Sequence, residues 1–260
     1  MSFLILDSAG YELESKKLFS NMTSIPDSAR KRTINSLIKR LKNDGTWNLI
    51  DVLWVMASHD QQAARLNWKS PGNFTLTEVN TPTWTANQGY TGDGASTYLN
   101  TSWDASNNGV NYTQNSASKG AYIRTNSQEA GFALGALGAA NGSHIVPRNA
   151  SNQLLFRENQ ASSTTIASVT ASTGLISTTR TSSTAIEAFR NGTSLGTASV
   201  ASTAVESIDF YIMAFNNNGS ASGYTSRQQS VAYIGSGSIN QTLLFNAIEE
   251  YMDAIGSGVI

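Results

Sequence analysis

The sequence predicts a mainly-β sandwich of two antiparallel sheets, with a short helical segment before it and a closing helix after it. Three observations carry this. Charged residues are 13% of the 260 residues, against about 25% in an ordinary soluble domain, and Ser, Thr, Asn and Gly fill the gap. Short apolar stretches alternate with Asn-Gly and Asp-Gly steps through the middle of the chain, a pattern of strands joined by tight turns. Helical periodicity is confined to the two ends.

Taken in order, Pro26-Asp27-Ser28 supplies a helix start. Ile34, Leu37, Ile38 and Leu41 then fall on one helical face, and Asn43-Asp44-Gly45 ends it. Leu49 to Ala57 is apolar and short. It fits a buried strand or a second short helix, and periodicity does not decide between them. His59-Asp60 reads as a helix cap for the segment 60–68, or as an acid–base pair. Strands are expected at Ala130–Gly135, Gln153–Phe156 and Ile208–Met213. Turns are expected at Gly89–Gly94, Asn107–Gly109, Asn141-Gly142 and Asn217–Gly219. The clearest hairpin is Ala185–Thr197, turning at Asn191-Gly192, with Ile186, Ala188 and Arg190 on one face and Glu187 and Phe189 on the other. Leu244, Ala247, Ile248, Tyr251 and Ile255 make the apolar stripe of a last helix from about Asn240 to Ile255. The organisation expected is residues 1–25 as an attachment or flexible segment, 26–68 as a helical segment packed on the sandwich, and 69–260 as the sandwich with its closing helix.

Composition excludes several function classes. A net charge of -1 gives no field for nucleic acid or a membrane surface. Arg30, Lys31, Arg32, Lys39, Arg40 and Lys42 make the first helix basic, which reads as a solvated face in a chain without excess charge. With no cysteine there is neither a disulfide framework nor thiolate chemistry. The start Met1–Asp7 has no basic region and too short an apolar run for a signal peptide. Aromatic content and near-zero net charge argue against disorder.

One succession of residues carries a family resemblance. It runs through Tyr122–Asn126, Arg180–Ser183, Phe189-Arg190-Asn191-Gly192, Phe210–Asn218, Tyr224–Arg227 and Tyr233–Gly237. This order of strands, Asn-Gly hairpin, Asn-rich loop and closing helix resembles the concanavalin A-like, laminin-G-like jelly roll over about residues 26–255. More narrowly, it is similar to surface structural proteins of tailed bacteriophages. The resemblance implies a non-enzymatic virion protein, such as a head fibre, capsid decoration or tail-associated binding module. Such a protein is made in the host cytoplasm, attached to other virion proteins through its N-terminal segment, and oligomeric in the assembly. The alternative is a carbohydrate-binding module for a host cell-surface glycan.

Catalytic chemistry finds little footing. Jelly rolls that hydrolyse polysaccharides set carboxylates on one face of a strand. Glu206 and Asp209 stand three residues apart, on opposite faces of a regular strand, so hydrolysis is disfavoured. His59 and His144 have no metal-ligand spacing. No Walker loop is present. No cofactor is expected. Relatives can hold a rim calcium, and Asp93 and Asp104 are loop acids, but they form no dense acid cluster.

Sugar binding pairs aromatic faces with planar polar side chains. Trp84, Trp103, Tyr112 and Tyr224 are the aromatics nearest turn-rich segments, and Arg124, Asn216, Asn217 and Arg227 are the candidate hydrogen-bonding partners. Core packing is the competing role for each aromatic, and a left-handed turn for the asparagines. Of the loops, Ser220 to Arg227 is the one expected to carry a glycan site.

Overall fold

The computed structural model describes residues 10–166 and 168–260; the first nine residues of the expected attachment segment lie outside that description. Helix α1 spans Leu13–Ser20 and α2 spans Ser28–Asn43. The Asp27 carboxylate caps α2, accepting the Arg30 amide at 2.7 Å. Gly45, with φ 74°, turns the chain into the short helix α3, Thr46–Leu49.

The run after it resolves as a strand, β1, Ile50–Val55. It pairs antiparallel with β17, Gln228–Gly235. From β17 one sheet extends through β6 (Ala117–Ile123), β11 (Gly174–Arg180), β12 (Ala185–Arg190) and β13 (Thr193–Ser199). On its other side β17 meets β4 (Gly89–Thr91), and β4 meets β3 (Thr83–Thr85). Its central strands, β1, β17, β6 and β11, are buried on both faces. Leu53, Val55, Tyr122, Leu175, Val231 and Tyr233 pack against α1, α2 and α5 (Gln241–Ala254). Val52, Trp54, Ala232 and Ile234 face the sandwich interior instead. A strand apolar on both faces loses the alternation that marks a half-buried one. That is why Leu49–Ala57 has no readable period.

The second sheet runs β10 (Thr164–Ile166), β9 (Leu154–Arg157), β8 (Gly142–Val146), β7 (Leu134–Leu137), β14 (Tyr211–Ile212), β5 (Tyr98–Asn100) and β2 (Thr77–Val79). A hairpin of β15 (Phe215–Asn217) and β16 (Ser220–Ser222) joins it at β7. The fold is thus a two-sheet antiparallel sandwich with helices at the N-terminal end and a C-terminal helix, as the sequence predicts. Leu99, Leu134, Ala136, Ile145, Phe156 and Ile212 point into the core, while their strand neighbours point outward. Helices cover the outer face of the first sheet. The outer face of the second sheet carries the remaining side chains.

The Asn191-Gly192 turn is as expected, with φ 53° and 72°. The chain there abuts α5: a Cβ on Gly192 would lie 2.5 Å from Thr242 Cα. Asn218 and Gly219 make the equivalent left-handed pair between β15 and β16. Four local expectations are corrected. Gly89–Gly94 is half strand, because Gly89–Thr91 pairs with β17 and only the residues after it turn. Segment 60–68 forms only the 3-10 turn Ala63–Arg65, capped by Asp60 through the Gln62 and Ala63 amides. The strand at Ala130–Gly135 begins only at Leu134. The strand at Ile208–Met213 shrinks to Tyr211–Ile212, because Met213 adopts φ 67° and reverses the chain.

Between the sheets lies a buried ion pair. Lys119 Nζ donates to Glu158 Oε2 at 2.7 Å, with both side chains 0% exposed. Glu158 also accepts from the Thr178 hydroxyl, and its Oε1 accepts from Tyr112 Oη at 3.0 Å. Arg180 Nε donates to the Glu158 carbonyl at 2.6 Å, while its Nη1 reaches the Ser182, Ser183 and Val200 carbonyls. Buried charges are stable only when paired and hydrogen-bonded, and these are.

Candidate ligand-binding face

The uncovered face of the second sheet gathers three tyrosines. In β5, Leu99 is buried, so Tyr98 and Asn100 point outward. In the neighbouring chain Phe210 and Ile212 are buried, so Asp209 and Tyr211 share that outward side. The register sets Tyr211 opposite Asn100. Tyr98 and Tyr211 rings lie 4.5 Å apart at 31°, and Tyr224 sits 6.3 Å from Tyr98 at 46°. Tyr211 is nearly enclosed, whereas Tyr98 and Tyr224 remain part-exposed. Burial raises the Tyr211 phenol to about 12, with Tyr98 adding to the effect. Its hydroxyl is therefore neutral at physiological pH.

Asp209 stands at the end of this cluster. Burial raises its pKa and the nearby Asp104 adds to that, while a hydrogen bond with Asn100 opposes them. The Asn216 amide donates to the Asp209 carbonyl at 3.0 Å, and its oxygen accepts the Gly219 amide at 2.8 Å. Asn216 thus ties the β15–β16 turn to the strand that carries Asp209 and Tyr211.

The segment after β16 is held from behind. Tyr224 Oη donates to the Ala221 carbonyl at 3.0 Å, fixing its ring. Arg227 is fully buried and its guanidinium reaches the carbonyls of Ser127, Glu129, Gly131 and Arg148. Burial lowers its pKa to about 10, which leaves it charged. The Glu129 carboxylate accepts from the Thr225 and Ser226 hydroxyls. Burial opposes its charge, but those bonds and Arg227 outweigh that and lower its pKa.

The sequence-predicted site residues separate into two sets. Tyr224 lies in the tyrosine cluster, with Asn216 adjoining it and Asn217 exposed at the hairpin tip. The others are placed elsewhere. Trp103 and Tyr112 are each 1% exposed, packed on Phe210 in the core, and offer no ring face to a ligand. Arg227 is consumed by backbone carbonyls. Arg124 binds Gln228 and the Ser257 carbonyl, tying the C-terminal segment to the first sheet. Trp84 donates to the Met56 carbonyl at 3.2 Å. Tyr98, Asn100, Asp209 and Tyr211 were not singled out for binding. Their signal is the pair of two-residue alternations Tyr98-Leu99-Asn100 and Asp209-Phe210-Tyr211.

The remaining chemistry is dispersed. Glu206 is buried and accepts the Gly138 amide at 2.9 Å, while Asp209 is part-exposed, so the two carboxylates sit in different surroundings. His144 is buried against Phe132 and Phe215. Asp93 accepts three backbone amides of its own turn, and Asp104 caps the helix α4, Ala105–Asn108. Among the described residues no group of three or more His, Cys, Asp or Glu is placed to hold a metal. On α2, Arg30 is bound to Tyr251 and Asn87, Arg40 pairs with Glu250, and Lys42 pairs with Glu12 and Glu14. No described helix is long and apolar enough to cross a membrane.

No protein family matches the sequence, and no curated relative matches it. Solved structures do share the fold. The binding domain of botulinum neurotoxin serotype D superposes with a TM-score of 0.51 at 9% identity, covering 78% of this chain and 51% of that one. A botulinum neurotoxin type C structure, of a toxin that depends on two ganglioside molecules to get into cells, gives 0.53 at 13% identity, covering 77% and 52%. The chain therefore spans about half the length of these structures. At such identities the likeness establishes the β-sandwich alone. These neighbours are toxin domains, not the virion proteins that the hairpin pattern resembles.

Proposed function

We propose that this chain is a glycan-binding module, with its ligand lying on the outer face of the second sheet against Tyr98 and Tyr224. One observation carries the reading. Two part-exposed tyrosine rings, Tyr98 and Tyr224, lie with Tyr211 on the outer face of the second sheet, where the register sets Asn100 opposite Tyr211. Aromatic rings offer a rigid apolar surface at small entropic cost, and amide and carboxylate groups supply the directional bonds that hydroxyl-rich ligands need. The frame beneath is fixed by Asn216 and Arg227, and the Tyr224–Ala221 bond orients the ring upon it, so little ordering is left for the binding step. A related sandwich in a toxin that uses gangliosides is a precedent that supports the reading.

The role is recognition rather than cleavage. Glu206 is buried on the Gly138 amide while Asp209 is part-exposed, surroundings that do not match the paired carboxylates of a glycosidase. The test is glycan-array binding of the intact chain beside its Tyr98→Ala and Tyr224→Ala variants. Each variant should lose at least roughly tenfold in affinity, as expected for a lost stacking ring, with the unfolding midpoint held. Equal binding by all three proteins would sink the assignment of this face.

A further inference from the structure

The two sheets end together on one side of the sandwich. There β13 is the last strand of the first sheet and β10 the last of the second. Among the described residues neither has a partner strand on its outer edge, and such an edge is a template for another strand. The two edges adjoin: a Cβ on Gly196 would lie 3.4 Å or less from the Ile166 side chain, at 3.3 Å from its Cδ1. Ile166, Leu195, Ala198 and Val200 fill the seam between them, packed on the core yet part-exposed.

Both edges lack charge. No Asp, Glu, Lys, Arg or Pro falls between Glu158 and Arg180, which bracket β10, or between Arg190 and Glu206, which bracket β13. The charges nearby lie one strand inward. Glu187 stands on β12 opposite Thr197. Arg190 Nε donates to the Thr173 carbonyl at 2.8 Å, and Arg157 Nε to the Ser163 hydroxyl at 3.2 Å. At the opposite ends of the two sheets the edge strands are guarded. Pro82 precedes β3, and β2 carries Glu78, which is 3.7 Å from Arg65 Nε. Proline and charge are the usual devices that keep an edge from pairing, and β10 and β13 have neither.

We propose that the chain pairs with a second copy of itself through this uncharged side, β13 lying antiparallel to β13 of the copy and β10 to β10, about a twofold axis normal to the sheets. Such an axis keeps each sheet in its own layer and closes the assembly at two chains. It also brings each edge against itself, so a charge there would face its like. Edges of Ser, Thr, Ala and Gly meet no such cost. The part-exposed seam of Ile166, Leu195, Ala198 and Val200 meets its copy and leaves water. Leu195 is the extra residue where the β12–β13 register shifts, so the contact centres on the regular stretch 196–199. The strands that carry Tyr98 and Tyr211 lie towards the other end of the second sheet from β10. The tyrosine face therefore stays open, and the axis points both copies of it the same way. Two such faces hold a surface of repeated ligands more firmly than one; this consequence alone rests on the glycan reading.

Sedimentation velocity of the full chain over a dilution series reads the association. Wild type should be dimeric at about 0.1 mM and dissociate on dilution. The double variant Thr165→Lys/Ser199→Lys places a charge on each edge at exposed positions. It should weaken association at least about tenfold, whereas Thr83→Lys, on the guarded edge of the first sheet, should leave it unchanged. Hydrogen exchange of wild type gives a reading that needs no substitution: amides of β13 should slow as concentration rises, and those of β3 should not. A chain monomeric throughout the series overturns the proposal. So does a dimer that the double variant leaves as tight as wild type, or one whose β13 amides exchange at the same rate at every concentration. Each of these outcomes leaves glycan binding at Tyr98 and Tyr224 standing, since that reading is tested by its own variants.

Discussion

Lys119→Met should be the most damaging conservative substitution in the sandwich. The side chain is 0% exposed and its ammonium donates to Glu158 Oε2 at 2.7 Å and to the Arg157 carbonyl at 2.7 Å. Methionine matches the lysine in length but removes the charge. Glu158 would keep the Tyr112 and Thr178 hydroxyls but would be a buried carboxylate that has lost its ion-pair partner. Removing one partner of such a pair costs roughly 3–5 kcal/mol. For a chain of this size that lowers the melting temperature by roughly 6–20 °C. The double variant Lys119→Met/Glu158→Gln should recover at least about half of the loss, because a neutral amide can accept from one hydroxyl through its oxygen and donate to the other through its NH2. Urea unfolding followed by tryptophan fluorescence measures all three proteins. A single variant costing less than about 1 kcal/mol, or a double variant no better than the single, would show that the pair is not the charge-compensating element the geometry describes.

Glu206 gives a pH prediction. Burial raises its pKa from 4.5 to about 7, with the Gly138 amide and Arg157 opposing. The folded state thus holds its proton more tightly than the unfolded one, so this residue's contribution is full below pH 4.5 and is lost as pH rises through 7. Glu206→Gln should remove that loss, gaining on the order of 2–3 kcal/mol on wild type between acid and neutral pH; a constant difference across that window would refute it. Trp103→Ala should cost roughly 3–5 kcal/mol by opening the core, in contrast to Tyr224→Ala, which should barely change the unfolding midpoint. Gly192→Ala should cost more than about 1 kcal/mol, because its φ is 72° and the added carbon meets Thr242. Limited proteolysis should release no stable fragment beginning near residue 69, because β1 is hydrogen-bonded along β17 in the first sheet.

What the sequence disclosed, and what it hid, follows from how each element is buried. Helix α2 and the Asn191-Gly192 hairpin are legible because each has one wet face and local boundary signals: Asp27 at the start and Gly45 past the end of the helix, two left-handed residues for the turn. Leu49–Ala57 was not, because β1 packs helices on one face and the second sheet on the other. Two of the binding candidates, Trp103 and Tyr112, are core side chains for a related reason. Trp103 and Tyr112 sit beside turn-rich sequence, yet proximity to a turn in sequence says nothing about which side of the sheet a ring takes. Alternation against a known buried neighbour does say it. Once Phe210 and Leu99 are core, Asp209, Tyr211, Tyr98 and Asn100 must face outward together. The pairing of Tyr211 with Asn100 joins residues more than a hundred positions apart. No local pattern encodes that register, so the face becomes a site only after the sheet has formed.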